Sequence, residues 1–144
     1  MNISIEDIQK EIIGDFSLFD NWDDKYAYII ECGKKLQPLA AEYKTEANLV
    51  RGCQSQVWLH AEHKNGLVYF HAESDAIIVK GLISLLVRVL SGHKAEDIVK
   101  SDLYFIDKIG MQSHLSMTRS NGLASMLKTM KIKALLFLEQ EKAN

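Results

Sequence analysis

The sequence predicts an α+β domain in which helices pack on one face of a small three-stranded antiparallel sheet. Apolar residues recur at helical spacing towards both ends of the chain, the period falls to two between Val57 and Ala72, and Asn65-Gly66 divides that alternating stretch. With 144 residues, 47% of them apolar and 25% charged, the chain has enough material for a core without disulfides or metal, so one domain over 1–144 is expected.

Ser4 and Asp7 form a loose capping signal, and Ile5, Ile8, Ile12 and Ile13 follow at helical spacing, predicting a short helix that stops at Gly14. A second helix begins near Asp20. Asp20, Asp23 and Asp24 suit the positive end of its dipole, while Trp22, Tyr26, Ile29, Ile30 and Gly33 share one face. Cys32 lies inside this helix, where a free cysteine is expected simply to pack, and Pro38 marks the loop beyond it.

From Gln56 onward, Val57, Leu59 and Ala61 alternate with Trp58, His60 and Glu62. Asn65-Gly66 is a strong hairpin signal, because both central residues of the matching turn need positive φ. The return strand runs over 67–74 with Val68, Phe70 and Ala72 on one side, and residues 48–51 offer a third strand that leaves Cys53 at a corner of the meander. Ser74 is expected to cap a helix over 75–92, whose wide stripe of Ile77, Ile78, Leu82, Leu85, Leu86 and Val89 implies a well-buried element. Gly81 in its interior, at a cost of about 1 kcal/mol relative to alanine, suggests close approach of another backbone. Short helices fit 94–100 and 104–110. A long helix from about Asn121 to Glu141 closes the chain, and Met111, Met117, Met126 and Met130 are expected in the core.

Seventeen basic against nineteen acidic side chains leave a net charge of −2, with no basic footprint for nucleic acid. No apolar stretch is long enough for a bilayer span, and the first residues lack a basic start and apolar core, so the expected partners exclude membrane and the expected location is the cytoplasm, with reduced thiols. There is no Gly-x-Ser-x-Gly elbow, phosphate-binding loop, Gly-x-Gly-x-x-Gly or His-Glu-x-x-His. His60, His63 and His71 suit a strand surface better than a metal site, so no metal is expected. What remains is Cys53. It reacts only as thiolate, and on local grounds Arg51-Gly52-Cys53-Gln54-Ser55-Gln56 reads first as a small residue packed at a turn, with a nucleophile as the alternative.

The stretch from Arg51 to Leu59, RGCQSQVWL, resembles the signature around the active cysteine of the SufE family of sulfur-acceptor proteins. The likeness extends to NWDDKYAYIIECGKKL at 21–36, SDAIIVKGLISLL at 74–86 and HLSMTRSNGLASM at 114–126, with Met117 standing where the family commonly has proline. This resemblance implies a fold of the SufE/NifU-like type and a transpersulfuration role. A partner cysteine desulfurase, which carries the pyridoxal phosphate, would leave sulfur on its own cysteine; Cys53 would accept it and pass it towards an iron-sulfur cluster scaffold. The chain itself would carry no cofactor. Arg51, Gly52, Gln54 and Gln56 would support the loop, with Gly52 as its hinge and the two amides fixing it by hydrogen bonds. Arg119 would supply a nearby cation or cap the last helix, and Ser74 and Asp75 would border the docking surface, Asp75 serving equally as a helix N-terminal charge. A paralogous acceptor feeding other sulfur users, or an adaptor that regulates the desulfurase without carrying sulfur, are the alternatives; a cluster scaffold would want about three cysteines where this chain has two.

Overall fold

The computed structural model describes residues 3–143. In chain order these form α1 (Ile5–Phe16), α2 (Trp22–Lys34), β1 (Val57–Lys64), β2 (Leu67–Ser74), α3 (Ile77–Leu90), the short α4 (Ala95–Lys100) and α5 (Phe105–Lys108), and α6 (Met117–Ala143). Three 3-10 turns lie at Ala41–Tyr43, Glu46–Asn48 and Met111–His114.

The expected hairpin forms. β1 and β2 pair antiparallel from Val57 opposite Ser74 to Lys64 opposite Leu67, and the turn takes φ values of 54° at Asn65 and 80° at Gly66. Val57, Leu59, Val68, Phe70 and Ala72 share the face that is buried under the helices. The expected third strand does not form among the described residues: within 48–51 only Leu49 bridges to β1, at Trp58, and Val50 donates to the Val57 carbonyl at 2.8 Å. Glu46–Asn48 is wound into a 3-10 turn and Arg51-Gly52 turns again, so too few residues stay extended to build a ladder. The sheet is therefore two-stranded. Residues 39–49 instead cross its outer face, where Tyr43 stacks on His60 with ring centroids 3.7 Å apart, Lys44 pairs with Glu73, and the Leu39 amide donates to Glu73 Oε1 at 3.4 Å.

Several helix ends differ from the sequence expectation. α1 runs through Gly14 to Phe16, because Gly14 is an exposed site with no neighbour to clash with and the fully buried Phe16 draws the last turn onto the core. α2 begins at Trp22, capped by Asn21, which accepts from the Asp24 amide at 2.9 Å, with Asp23 and Asp24 in its first turn as expected. Ser74 does not cap α3; it is buried as the last residue of β2, its Oγ accepting from the Ala76 amide at 3.2 Å, and the helix begins at Ile77 without a side-chain cap. α6 starts four residues before the expected Asn121, and Ser116 Oγ accepts from the Arg119 amide in its first turn at 3.2 Å. Helices at Ala95–Lys100 and Phe105–Lys108 match the expectation, as does burial of Met111, Met126 and Met130. The Met117 side chain lies outside the described residues.

Ile12, Phe16, Ile29, Leu59, Leu86, Phe105 and Met130 belong to one contiguous apolar cluster that α1, α2, α3, α5, α6 and the hairpin all enter. Its tightest seam is the α2–α3 crossing. A Cβ on Gly81 would lie 2.2 Å from the Ile29 carbonyl oxygen, and one on Gly33 would lie 2.8 Å from the Gly81 amide nitrogen, so the two backbones meet glycine to glycine. That contact explains why a helix interior tolerates Gly81. Gly81→Ala should lower the unfolding free energy by about 1–3 kcal/mol, since the clash is with backbone that cannot turn aside. Gly14→Ala, in open space on α1, should raise it by about 0.5–1 kcal/mol. Urea denaturation of the two variants checks both signs.

Candidate functional site

Cys53 follows a turn that only a glycine suits. Gly52 takes φ of 89°, and a Cβ there would lie 2.4 Å from Ser125 Oγ on α6, so backbone conformation and space both select for hydrogen. The turn lies against the N-terminal part of α6. There the Cys53 S–H donates to the Gly122 carbonyl at 3.6 Å, and a Cβ on Gly122 would stand 3.4 Å from the sulfur. The long helix thus supplies both a floor for the turn and an acceptor for the thiol.

The other end of the segment is tied to the approach of α3. Asp75 Oδ1 accepts from the Gln56 amide at 3.1 Å, and the Asp75 amide donates to the Gln56 carbonyl at 3.3 Å. Residues 53–56 are therefore held at both ends, by α6 at Cys53 and by Asp75 at Gln56. The carboxylate of Asp75 is occupied with this latch, while the side chains of Gln54 and Gln56 are exposed. The latch runs through the main chain of Gln56 and not through its amide side chain.

Cys53 opens onto a cavity of about 670 Å³. Buried Val57, Leu82, Ile83 and Met126 make its apolar base; Ser116 and Arg119 from the start of α6 line one side, and Asp75, Ala76 and Ile77 another. Ile77 is 67% exposed, a large apolar lip beside the thiol. Burial pushes the Cys53 thiol above its ordinary value, and no neighbouring charge among the described residues offsets that shift. At neutral pH the group is thus a protonated, half-buried S–H. Arg51 is exposed on the turn, and Arg119 is an exposed residue of the first turn of α6, not of a loop; both are near the site in the fold, yet neither guanidinium contributes to the thiol's shift.

Of the residues singled out from the sequence, Cys53, Gln54, Asp75 and Arg119 line the cavity; Gly52 and Gln56 shape the loop, and Ser74 is buried beneath it. Gly122, Ser125 and Ser116 were not singled out, and Ile77, expected in the buried stripe of α3, is instead exposed at the cavity rim because it opens the first turn of the helix. A glycine within a long apolar-periodic helix is a signal of close approach, but with the helix begun at Asn121 it passes for a residue at the helix start.

Cys32 stands in a different environment, on α2 with Tyr28, Asp15 and Arg88. Burial pushes its thiol up, opposed by a hydrogen bond with Tyr28 and by Arg88. Tyr28 is itself pushed up to about 12 by burial and by its 3.0 Å bond to Asp15 Oδ2. Cys32 does not line the Cys53 cavity. On the outer sheet face His60 and His71 are cross-strand partners around Glu62, while His63 pairs with Glu141 at 2.7 Å on the other face. Among the described residues no group of three His, Cys, Asp or Glu is arranged to hold a metal ion. No helix among them is long and apolar enough to cross a membrane.

Comparison with known proteins fits this arrangement. An uncharacterized SufE-like protein of Rhizobium meliloti strain 1021 is 43% identical over 129 residues, covering 86% of this chain and 92% of the relative. A SufE-like protein of Rhizobium etli, also uncharacterized, is 43% identical over 129 residues, covering 86% of this chain and 87% of its own. The solution structure of a hypothetical protein from Thermus thermophilus superposes with a TM-score of 0.77 at 21% identity over 92% of this chain and 96% of that one, which establishes a shared fold. The model of the SufE family, described as an Fe-S metabolism associated domain, matches residues 10–134, a span that includes Cys53, Asp75 and Arg119. The chain belongs to the SufE family.

Proposed function

We propose that this protein accepts sulfur on Cys53 from the persulfide of a partner cysteine desulfurase and hands it on for iron-sulfur cluster assembly. The observation that carries the reading is a half-buried thiol on a glycine turn, opening onto a cavity, in a chain of the SufE family.

The chemistry is thiol–disulfide exchange with one sulfur more. Cys53 loses its proton, and the resulting thiolate attacks the outer sulfur of the partner's Cys–S–SH. The new bond joins Cys53 Sγ to that sulfur, the partner's S–S bond breaks, and the partner's cysteine leaves as thiolate. The first proton goes to solvent or to a partner base; no oxidant or reductant is needed. Since the environment of Cys53 holds the thiol neutral, the free protein is quiet towards electrophiles, and activation falls to the docked complex. Gly52 permits the change: it is free to take φ values closed to other residues, so the Gly122 contact can be released without strain. Ile77 and the backbone at Asp75 and Ala76 form the rim over which a partner would dock, with Ser74 contributing from beneath by fixing the Ala76 amide. Arg119 at the same rim is placed to meet an acidic group or a departing thiolate of the partner.

Incubation with a cysteine desulfurase and cysteine should add the mass of one sulfur to the wild type and to Cys32→Ser, and none to Cys53→Ser. Equal labelling of wild type and Cys53→Ser overturns the assignment, and loss of labelling in Cys32→Ser alone moves the acceptor to α2. The protonation of Cys53 has a separate signature. For a thiol whose folded pKa is raised, the neutral form is favoured by folding, so this contribution to stability is full below the ordinary thiol pKa and is lost as pH rises through the folded value. In Cys32→Ser, the midpoint of the pH–rate profile for iodoacetamide alkylation should accordingly lie higher in the folded chain than in the same chain in urea. A folded midpoint at or below the unfolded one contradicts burial as the controlling effect.

A further inference from the structure

The turn that carries Cys53 is reached through residues 39–50, which lie across the outer face of the hairpin and not in a ladder of their own. One carboxylate receives most of their polar contacts with the sheet. Glu73, opposite Trp58 in the register, has a side chain only 14% exposed and takes two donors from the crossing chain: the Lys44 ammonium at Oε2 and the Leu39 amide at Oε1, 3.4 Å away. Lys44 holds the Glu73 carboxyl below the ordinary carboxylate range, so the pair is charged at neutral pH. Around it the same stretch is tied together and to β1. Asn48 Nδ2 donates to the Tyr43 carbonyl at 2.8 Å, Tyr43 stacks on His60, and buried Val50 donates to the Val57 carbonyl. Val50 leads straight into the Arg51-Gly52 turn. Two residues beyond Glu73, Asp75 binds Gln56 on the other side of the thiol. The segment 73–75 thus grips the chain both before and after Cys53.

We infer that Glu73 is a positioning residue for Cys53: its carboxylate clamps the incoming chain on the sheet and so keeps the Gly52 turn seated against α6. Glu73 does not line the Cys53 cavity and does not contribute to the shift of the thiol, so it acts only through the chain it holds. Release of the clamp frees residues 39–50 to lift, which draws the turn off Ser125 and exposes the sulfur. Because Glu73 and Asp75 share one short segment next to the Ile77 rim, a partner that moves this segment loosens both flanks of the thiol together. As a device for sulfur transfer the clamp rests on the proposed role of Cys53, while alkylation depends only on exposure of the thiol. Sulfur labelling of Cys53→Ser and alkylation of the clamp variants therefore fail independently.

The test is the rate of Cys53 alkylation by iodoacetamide in the Cys32→Ser background, at fixed pH without denaturant, followed by intact mass. Glu73→Gln and Lys44→Met should each speed it by about threefold or more, the scale of a lost charge-assisted hydrogen bond. The double variant should match the faster single variant, because both substitutions undo one clamp. Gly81→Ala, which weakens the whole fold at the α2–α3 crossing, should stay within about twofold of the parent, separating the seating of the turn from a general loss of stability. Parent rates in both clamp variants overturn the inference. Equal acceleration by Gly81→Ala, or fully additive effects of the two clamp substitutions, overturns it as well.

Discussion

Gly52 meets α6 with room for nothing larger than a hydrogen, and the chemistry of the thiol depends on that contact. Because the turn is left-handed and seated at Ser125, the next residue delivers its sulfur to the Gly122 carbonyl and to the margin of an apolar cavity. On the helix side the contribution is the Gly122 carbonyl, since a Cβ at 122 would make only ordinary contact with the sulfur at 3.4 Å; the demand for glycine falls on residue 52. The remaining structure keeps that meeting in place: the buried half of α6 is anchored by Met126, Met130 and Ala134, and the far end of the loop is anchored by the reciprocal Gln56–Asp75 bonds.

The consequence for reactivity is that control is exercised through solvation. Many reactive cysteines are activated by a cation or a helix N-terminus that lowers the pKa. Here burial pushes the value up, and the nearby guanidiniums of Arg51 and Arg119 do not counter it. In the proposed role such a setting would be of use, because a thiol held neutral and half-buried resists stray oxidants and electrophiles. The apolar lip at Ile77 and the latch at Asp75 lie on the same rim, which ties the resting state of the thiol to the surface where a partner would settle.

Much of this was legible in the sequence where a local rule decides the outcome. Asn65-Gly66 specified the hairpin, the alternation of Val57 and Leu59 specified its buried face, and Gly81 correctly signalled a tight helix crossing. The departures arose where tertiary packing outweighs local preference. Gly14 failed to end α1 because Phe16 gains full burial by continuing it; residues 48–51 failed to form a strand because two flanking turns consume the segment; Ser74 left its expected capping role because β2 extends to include it. For the site, local context alone favoured a small packed residue at Cys53, and the resemblance of its surroundings to the SufE signature reversed that reading. Gly122 and Ser125 escaped notice because their role exists only once α6 crosses the Cys53 loop, 69 residues distant in sequence from Gly122.

Folding, by burying sulfur at residue 53, governs its exposure to reagents. The direct measurement is the lifetime of the Cys53 persulfide under a fixed concentration of dithiothreitol, followed by intact mass in the Cys32→Ser background, for the folded chain and for the same chain in urea. Shielding predicts decay slower in the folded chain by about fivefold or more. Equal rates in the two states would contradict it.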